Sequence, residues 1–257
     1  MSASGDDRSV EASIVARLRA AGCVDPEAEA AFVRRHLHTA HGVEHAVAAR
    51  VRGMPLEQAV GAAEFAGVTV AVADGVFVPR ARAAAVVEVA AREHPGARVV
   101  VDLGCGAGAL AAAMAARLPG AEIHAVDIDP AAVVVARCNA WRHGFTPHHG
   151  SWWDGLPTNL RGRIDLAVAY LPHVPSGQVR LLPSDHRAHE PRRTVDGGPD
   201  GLAPLRTVLG EADAWLAPEG RLVTLLTREQ ARTAGGRIAG GDDEDAVVVF
   251  DRAAVRR

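Results

Sequence analysis

The chain has 257 residues, 48% of them hydrophobic, which is enough for one full domain with a substantial core and a smaller domain beside it. Its formal net charge of -3 argues against a broad nucleic-acid surface, and no apolar stretch approaches the length of a membrane span or follows a basic start as in a signal peptide. Cys23, Cys105 and Cys138 show no CxxC spacing, which predicts reduced thiols in a cytoplasmic protein.

The first part of the chain predicts a small helical domain. Residues 1–10 are small, polar and acidic, and we expect them to be disordered. Across residues 11–66 apolar side chains recur at helical spacing. Within that range Asp25 and Pro26 provide the N-cap and the first-turn proline that begin a new helix.

A β-hairpin is predicted to link this domain to the rest of the chain. Valine-rich runs at 68–72 and 76–78 flank Asp74-Gly75, a pair that favours a tight turn between two strands. We assign residues 67–79 to this linker.

From residue 80 onward the pattern alternates between helix and strand. Helices are predicted at 81–92, 107–117 and 130–143, and strands at 98–102, 122–126, 164–169, 221–226 and 246–250. Strands separated by helices form right-handed βαβ units, so residues 80–257 predict a mostly parallel, Rossmann-like α/β domain. The short stretch between the last two strands contains two glycine pairs and indicates a loop, so we expect a sheet shortened at this C-terminal edge.

A glycine-rich turn connects the strand at 98–102 to the helix after it. Gly104, Gly106 and Gly108 form a GxGxG pattern, which suits a backbone that takes positive φ values and that a ligand approaches closely. Asp127 ends the next strand, where a carboxylate can accept hydrogen bonds from both hydroxyls of a ribose. The pattern predicts a nucleoside cofactor, either S-adenosylmethionine (SAM) or a dinucleotide. A turn that serves packing alone is the alternative.

Five motifs in a fixed order carry a resemblance to a known family. They are Val78-Pro79-Arg80, the loop 102–108, the segment 125–130, Glu190-Pro191 and the segment 196–202. With this set, which spans about residues 15–230, the chain resembles the protein-(glutamine-N5) methyltransferases, in particular an additional actinobacterial branch of them.

The resemblance implies a class I SAM-dependent methyltransferase fold, in which a helical substrate-recognition domain precedes a seven-stranded sheet. It implies SAM as methyl donor and S-adenosyl-L-homocysteine as product. The acceptor is then the side-chain amide of a glutamine in a Gly-Gly-Gln loop of a release factor or ribosomal protein. Membrane association, direct nucleic-acid binding and a metal are not part of this expectation.

Positions that match the family's motifs define the expected site. Cofactor binding is assigned to Asp102, Gly104, Cys105, Gly106, Asp127, Ile128, Trp152 and Tyr170. Substrate binding is assigned to Pro79, Arg80, Glu190 and Pro191, and catalysis to Tyr170, Leu171, Pro172 and His173. In this assignment Ile128 and Trp152 lie near the adenine, and Pro79 and Arg80 close the site from the hairpin side.

The catalytic positions depart from the family pattern. The family ends its fourth strand with Asn-Pro-Pro-Tyr, whereas this chain has Tyr170, Leu171, Pro172 and His173 in sequence. An amide nitrogen is a weak nucleophile that has to be positioned, and in the family the Asn oxygen and the next backbone carbonyl accept its N–H groups. Tyr170 cannot place an oxygen where the Asn has one, and losing such a contact costs roughly 10²–10³ in rate.

Three interpretations of this departure are open. The chain methylates a protein glutamine in spite of the change, with the Leu171 carbonyl as the remaining acceptor. It methylates a different amine or a nucleobase, for which His173 would be a base. It binds SAM or S-adenosyl-L-homocysteine as a non-catalytic interaction protein.

A histidine cluster offers one further candidate site. His36, His38, His41 and His45 lie close together in the chain, and the last two share a helical face at a spacing that can hold zinc. The segment HGVEH is not HExxH, and no further ligand is marked nearby. A solvated helical face is the better interpretation, and we expect no metal.

Overall fold

The computed structural model describes residues 3–252 and begins with four helices that have a core of their own. They are α1 (Ala3–Ala20), α2 (Pro26–His36), α3 (Ala40–Val51) and α4 (Leu56–Val60). Their buried side chains form a separate cluster that includes Ile14, Leu18, Val33 and Val47. Asp25 caps α2 as predicted, since its carboxylate accepts the N–H of Ala28 at 3.0 Å.

The predicted disorder of residues 1–10 is wrong from Ala3 onward, because α1 begins there. Residues 1 and 2 lie outside the described part of the chain. The segment 3–9 contains no apolar residue larger than alanine, so it carries no periodic signal that would reveal a helix.

An antiparallel hairpin follows α4, and it lies earlier in the chain than predicted. Strand β1 (Ala62–Phe65) pairs with β2 (Val68–Ala71). The two turn residues, Ala66 and Gly67, both have positive φ (46° and 86°), as the favoured two-residue hairpin turns require. The predicted second strand at 76–78 is wrong, because those residues are irregular chain.

A seven-stranded sheet forms the centre of the remaining chain. Its strands are β3 (Val99–Leu103), β4 (Glu122–Asp127), β5 (Thr146–His149), β6 (Ile164–Ala169), β7 (Leu216–Thr227), β8 (Arg237–Gly241) and β9 (Asp245–Asp251). The strand order is β5-β4-β3-β6-β7-β9-β8, and all neighbours are parallel except β9, which is antiparallel to both β7 and β8. The predicted mostly parallel α/β sheet is confirmed.

Helices cover both faces of this sheet. Those after the hairpin are α5 (Ala84–Glu93), α6 (Ala109–Arg117), α7 (Pro130–His143), α8 (Ser184–His189), α9 (Ala203–Trp215) and α10 (Arg228–Ala234). Strand β3 is buried along its full length, because Val100 packs into one core whereas Val99 and Val101 pack into the core on the opposite face. Across residues 3–252 none of the helices has both the length and the apolar character of a membrane span.

The C-terminal edge of the sheet is complete, so the predicted shortening is wrong. Helix α10 begins at a capping box in which Thr227 and Gln230 each accept the other's backbone N–H. Gly235 and Gly236 then reverse the chain with positive φ (72° and 83°), and β8 returns along β9. On β8, a β-carbon at Gly240 would come within 2.9 Å of a valine side chain of α5. The glycines that suggested a loop are therefore required by a tight reversal and by close packing.

Candidate active site

A cavity of about 300 Å³ opens at the carboxyl ends of β3, β4 and β6, the edge at which open α/β sheets bind ligands. Of the residues predicted for the site, the cavity is lined by Pro79, Arg80, Asp102, Gly104, Cys105, Gly106, Asp127, Ile128, Trp152, Tyr170 and Pro172. Leu171, His173, Glu190 and Pro191 lie outside its lining. The structure thus brings the predicted cofactor and acceptor sides together on one cavity.

The backbone N–H groups of the glycine loop after β3 donate hydrogen bonds to other groups of the protein. Those of Gly104 and Cys105 both donate to one carbonyl of β4 at 2.9 Å. The N–H of Gly106 donates to Asp127 Oδ2 at 2.8 Å, and the N–H of Gly108 donates to the Cys105 carbonyl. A dinucleotide loop differs in that its N–H groups point at a pyrophosphate.

Asp102 is buried at the end of β3 with one carboxylate oxygen unsatisfied. Its Oδ2 accepts the N–H of Ala111 at 3.0 Å, whereas Oδ1 has no hydrogen-bond partner within the described chain. Burial raises the pKa of Asp102 to about 7, against the lowering effect of the Ala111 N–H. An unsatisfied carboxylate oxygen on a cavity wall favours a cationic or N–H-bearing ligand group opposite it.

Asp127, at the end of β4, accepts backbone hydrogen bonds from the glycine loop and from the residues that follow β4. Its Oδ2 accepts the N–H of Gly106 and its Oδ1 accepts the N–H of Asp129, both at 2.8 Å. Burial raises the pKa of Asp127, and the two backbone donors lower it in part. Because a carboxylate oxygen can accept two hydrogen bonds, both oxygens retain the capacity to accept a ligand hydroxyl.

Trp152 and Ile128 provide apolar surface around the glycine loop. Trp152 has a φ of 45°, which is rare for a bulky residue and places backbone strain at the cavity. Its ring would lie 3.0 Å from a β-carbon on Gly104, so a side chain at that position would collide with it. Trp153 instead belongs to the core, since it is fully buried and its indole N–H donates to the Val208 carbonyl at 2.8 Å.

A buried ion pair holds the chain that closes the cavity from the hairpin side. Arg80 Nη2 lies 2.5 Å from Glu190 Oε2, and Glu190 Oε1 accepts the N–H of Val78 at 3.0 Å. The Glu190 side chain is 1% exposed. The Arg80 guanidinium also lies 4.5 Å from the centre of the Phe77 ring. Glu190 is therefore an anchor for Arg80 rather than part of the cavity lining.

Tyr170, directly after β6, occupies the acceptor side of the cavity. Its ring centre lies 6.0 Å from that of Phe77 and 5.3 Å from that of His173. Burial raises the pKa of Tyr170, and the guanidinium groups of Arg82 and Arg80 lower it in part. The hydroxyl is therefore protonated at neutral pH and lies beside cationic groups.

Leu171 and His173 interact with each other rather than with the cavity. Nδ1 of His173 lies 2.9 Å from the Leu171 carbonyl, and since a carbonyl only accepts, Nδ1 carries the proton. Burial lowers the pKa of His173, which keeps the ring neutral. The Leu171 carbonyl, the one family-like acceptor expected to remain, thus already accepts a hydrogen bond, and Leu171 is only 2% exposed.

Sequence reasoning missed one wall of the cavity, which comes from the chain just after Pro191. Arg193, Thr194 and Asp196 line it, and Arg193 Nη2 lies 2.6 Å from Asp129 Oδ2. The segment 196–202 belongs to the motifs that carry the family resemblance, and it was the one signal that pointed to this wall.

The histidine cluster does not form a recognisable metal centre. Among the described residues, no three His, Cys, Asp or Glu side chains are grouped to hold a metal ion. His36 ends α2, and its Nε2 lies 3.1 Å from Glu64 Oε1.

Comparison with known proteins gives consistent matches. The family model of the methyltransferase small domain matches residues 69–179. Release factor glutamine methyltransferases of Geobacter sulfurreducens and Mycolicibacterium smegmatis are 37% and 39% identical to the chain over 74% and 77% of its length. The chain spans 66% of each of these relatives, just under two thirds of their length. The protein of the same name from Synechocystis sp. is 31% identical over 79% of this chain and 71% of the relative.

A solved structure shows the same fold at low sequence identity. The 16S rRNA N2 G1207 methyltransferase of T. thermophilus, in complex with AdoMet and guanosine, has a TM-score of 0.54 and is 20% identical, covering 74% of this chain and 49% of that chain. The sheet order and these matches show that the chain has the class I SAM-dependent methyltransferase fold and belongs to the release factor glutamine methyltransferase family.

Proposed function

We propose that this protein is a SAM-dependent methyltransferase that methylates the side-chain amide of a glutamine in a protein. The observation that supports the cofactor is the pair of carboxylates at the ends of β3 and β4, Asp102 and Asp127, beside a glycine loop whose N–H groups are already bonded. A pyrophosphate at this loop would meet the two carboxylates and few free backbone N–H donors. A nucleoside that carries a sulfonium and an ammonium group is complementary to the same surface.

The residues present fit SAM part by part. Asp127 can accept the ribose hydroxyls, and the unsatisfied Oδ1 of Asp102 can accept from the ammonium group of the amino-acid tail. Ile128 and Trp152 offer apolar surface to the adenine. Bound SAM supplies an electrophilic methyl group on a positively charged sulfur.

The acceptor side binds, orients and excludes water rather than removing a proton before the reaction. Phe77, Arg80, Tyr170 and Pro172 line this side, and the Arg80–Glu190 ion pair keeps it in place. Since an amide nitrogen is a weak nucleophile, its alignment with the methyl group is the main contribution that such a site makes.

Release factors are the acceptor class that the names of the relatives support, and a ribosomal protein would present the same amide chemistry. We assign recognition of the acceptor protein to the helical unit α1–α4, which has a core of its own. We place the reaction in the cytoplasm, where the free thiols Cys23, Cys105 and Cys138 stay reduced.

One observation favours a second candidate function, a SAM-binding interaction protein without catalysis. Tyr170 stands where the family has its amide-positioning Asn, and the Leu171 carbonyl already accepts a hydrogen bond from His173. Of the two groups that would orient a glutamine amide, one is replaced and the other already accepts a hydrogen bond, while Asp102, the glycine loop and Asp127 match the family's motifs.

The two candidates are separated by one pair of measurements. Calorimetry with SAM tests the cofactor, and incubation with isotope-labelled SAM and a recombinant release factor, followed by mass spectrometry of the Gly-Gly-Gln peptide, tests the acceptor. We expect binding and a methylated glutamine that is absent from the sample without enzyme. Binding without any methylated product supports the non-catalytic candidate, and no binding overturns both.

A further inference from the structure

A second cavity, of about 410 Å³, lies on the chain between β6 and α9, and arginines dominate its charged lining. Arg180, Arg187 and Arg192 line it, together with the carboxylate residue Glu190. Three guanidinium groups around one concave surface form a strongly cationic site unless carboxylates neutralise them.

Two carboxylates among the described residues lie at this cavity, and both already have partners. Glu190 is buried and accepts from Arg80 and from the Val78 N–H on the side of the first cavity. Asp196 pairs with Arg192 at 2.9 Å and accepts from the Ser176 hydroxyl at 2.6 Å. Arg192 is thus compensated, whereas Arg180 and Arg187 form no ion pair with a described carboxylate and supply positive charge to the cavity.

Arg187 is held in place at this wall. Its Nε donates to the Leu182 carbonyl at 3.0 Å, and its backbone N–H donates to the Pro183 carbonyl. A guanidinium fixed through Nε loses less conformational freedom when its other nitrogens bind a carboxylate.

The second cavity shares a wall with the active-site cavity. Arg80 and Asp196 line the first cavity, and their ion-pair partners, Glu190 and Arg192, line the second. Two ion pairs therefore cross the wall that the two cavities share. Linings that are joined by ion pairs are separated by about the length of two side chains, a distance that a few extended residues of a polypeptide can span.

We propose that this arginine-lined cavity binds the carboxylate of an acidic side chain of the acceptor protein, close in sequence to the methylated residue. The inference rests on the proposed function and names the chemistry of its partner. The apolar side chains of Val179, Leu182 and Val195 in the same lining suit a peptide rather than a sugar–phosphate backbone. The net charge of -3 also disfavours a nucleic-acid strand as occupant.

The test compares the binding of two fluorescein-labelled peptides by fluorescence anisotropy, in the presence of SAM. Both contain a Gly-Gly-Gln core, and they differ only in that one has glutamates and the other has glutamines on both sides of it. We expect the native protein to bind the glutamate peptide about tenfold more tightly at low salt, as two charge-assisted contacts would give. The double variant Arg180→Gln, Arg187→Gln should bind both peptides equally.

A matched control removes the same charge elsewhere. Arg137→Gln with Arg142→Gln on α7 changes two exposed arginines that do not line the cavity, and this variant should keep the native preference. Equal binding of both peptides by the native protein, or a preference that survives in the Arg180, Arg187 variant, overturns the proposal. The proposal is also overturned if a single-stranded oligoribonucleotide binds more tightly than the glutamate peptide and this binding depends on Arg180. That result would identify a nucleic-acid site.

The peptide-binding result can be interpreted whether or not the protein methylates the peptides. Calorimetry with SAM and methylation of the glutamine-flanked peptide report on the proposed function in the same variants. A native protein that prefers the glutamate peptide but methylates neither peptide retains the cavity assignment and loses the catalytic one.

Discussion

The two sides of the active-site cavity differ in what restricts the choice of amino acid at each position. On the cofactor side the backbone sets the requirements: the loop N–H groups bond to β4 and Asp127, and a side chain at Gly104 would collide with Trp152. On the acceptor side, packing between side chains restricts the residue type instead. Tyr170 packs between Phe77 and His173, an arrangement that needs no change in strand β6.

The difference shows how a methyltransferase fold can change its acceptor while it keeps its cofactor. A substitution in the glycine loop disturbs the fold and the cofactor together, whereas one at Tyr170 leaves the sheet intact. We therefore expect variants on the two sides to have separable effects.

The largest effect is expected from restoring the family residues on the acceptor side. The triple variant Tyr170→Asn, Leu171→Pro, His173→Tyr should raise the rate of glutamine methylation by roughly 10²–10³, because a carboxamide oxygen again accepts an amide N–H. Mass spectrometry of a Gly-Gly-Gln peptide measures it, and SAM affinity should change by less than about tenfold, since Asp102, Asp127 and the glycine loop are unchanged. Tyr170→Phe, which removes only the hydroxyl, is the control and should give no gain. A folded, SAM-binding triple variant with native activity would refute the assigned role of these positions.

The next largest effect is expected on the cofactor side. Asp127→Ala removes the acceptor of two backbone N–H groups and of the ribose hydroxyls, so the affinity for SAM should fall about 100-fold. Calorimetry measures it, with Asp154→Ala as the control, because Asp154 is exposed and does not line the cavity. Native affinity in the Asp127 variant would mean that the cofactor lies elsewhere.

The ion pair between the two cavities should be visible in stability. Glu190→Gln leaves Arg80 without its buried partner and should lower the free energy of unfolding by about 2 kcal/mol, less than for a fully buried pair because Arg80 is 17% exposed. Urea unfolding measures it. Glu88→Gln breaks an exposed pair with Arg117 and should change stability by less than about 0.5 kcal/mol. Equal effects in both variants would show that Glu190 is no anchor.

The unsatisfied carboxylate on the cofactor side should make the stability of the protein depend on pH. The folded pKa of Asp102, about 7, lies above the unfolded value of 3.8, so between these values the folded state holds more protons. Stability should therefore fall as pH rises through this window, by at most about 1.4 kcal/mol per pH unit. Urea unfolding of the native protein and of Asp102→Asn between about pH 5 and about pH 7 measures the difference. Parallel slopes for the two proteins would show that Asp102 is not protonated in the fold.

The amino-acid sequence predicted the structure of those segments in which residues close together in the chain determine the conformation. The segment β3–loop–α6 and helix α7 agree with expectation because a buried strand, obligatory glycines and the caps at Asp129 and Gly144 each act within a few residues. Asp102 and Asp127 lie on one cavity for the same reason, since each ends one of two adjacent parallel strands and so lies at the same edge of the sheet.

Tertiary contacts decided the rest. The hairpin formed at Ala66-Gly67 because of backbone angles that composition does not display, and β8 formed because β9 offered a partner to a glycine-rich segment. The Leu171 carbonyl was free in sequence reasoning and is bonded to His173 in the fold. The second cavity depends on how the chain between β6 and α9 folds, and a linear pattern of charges does not show that Arg180, Arg187 and Arg192 line one concave surface.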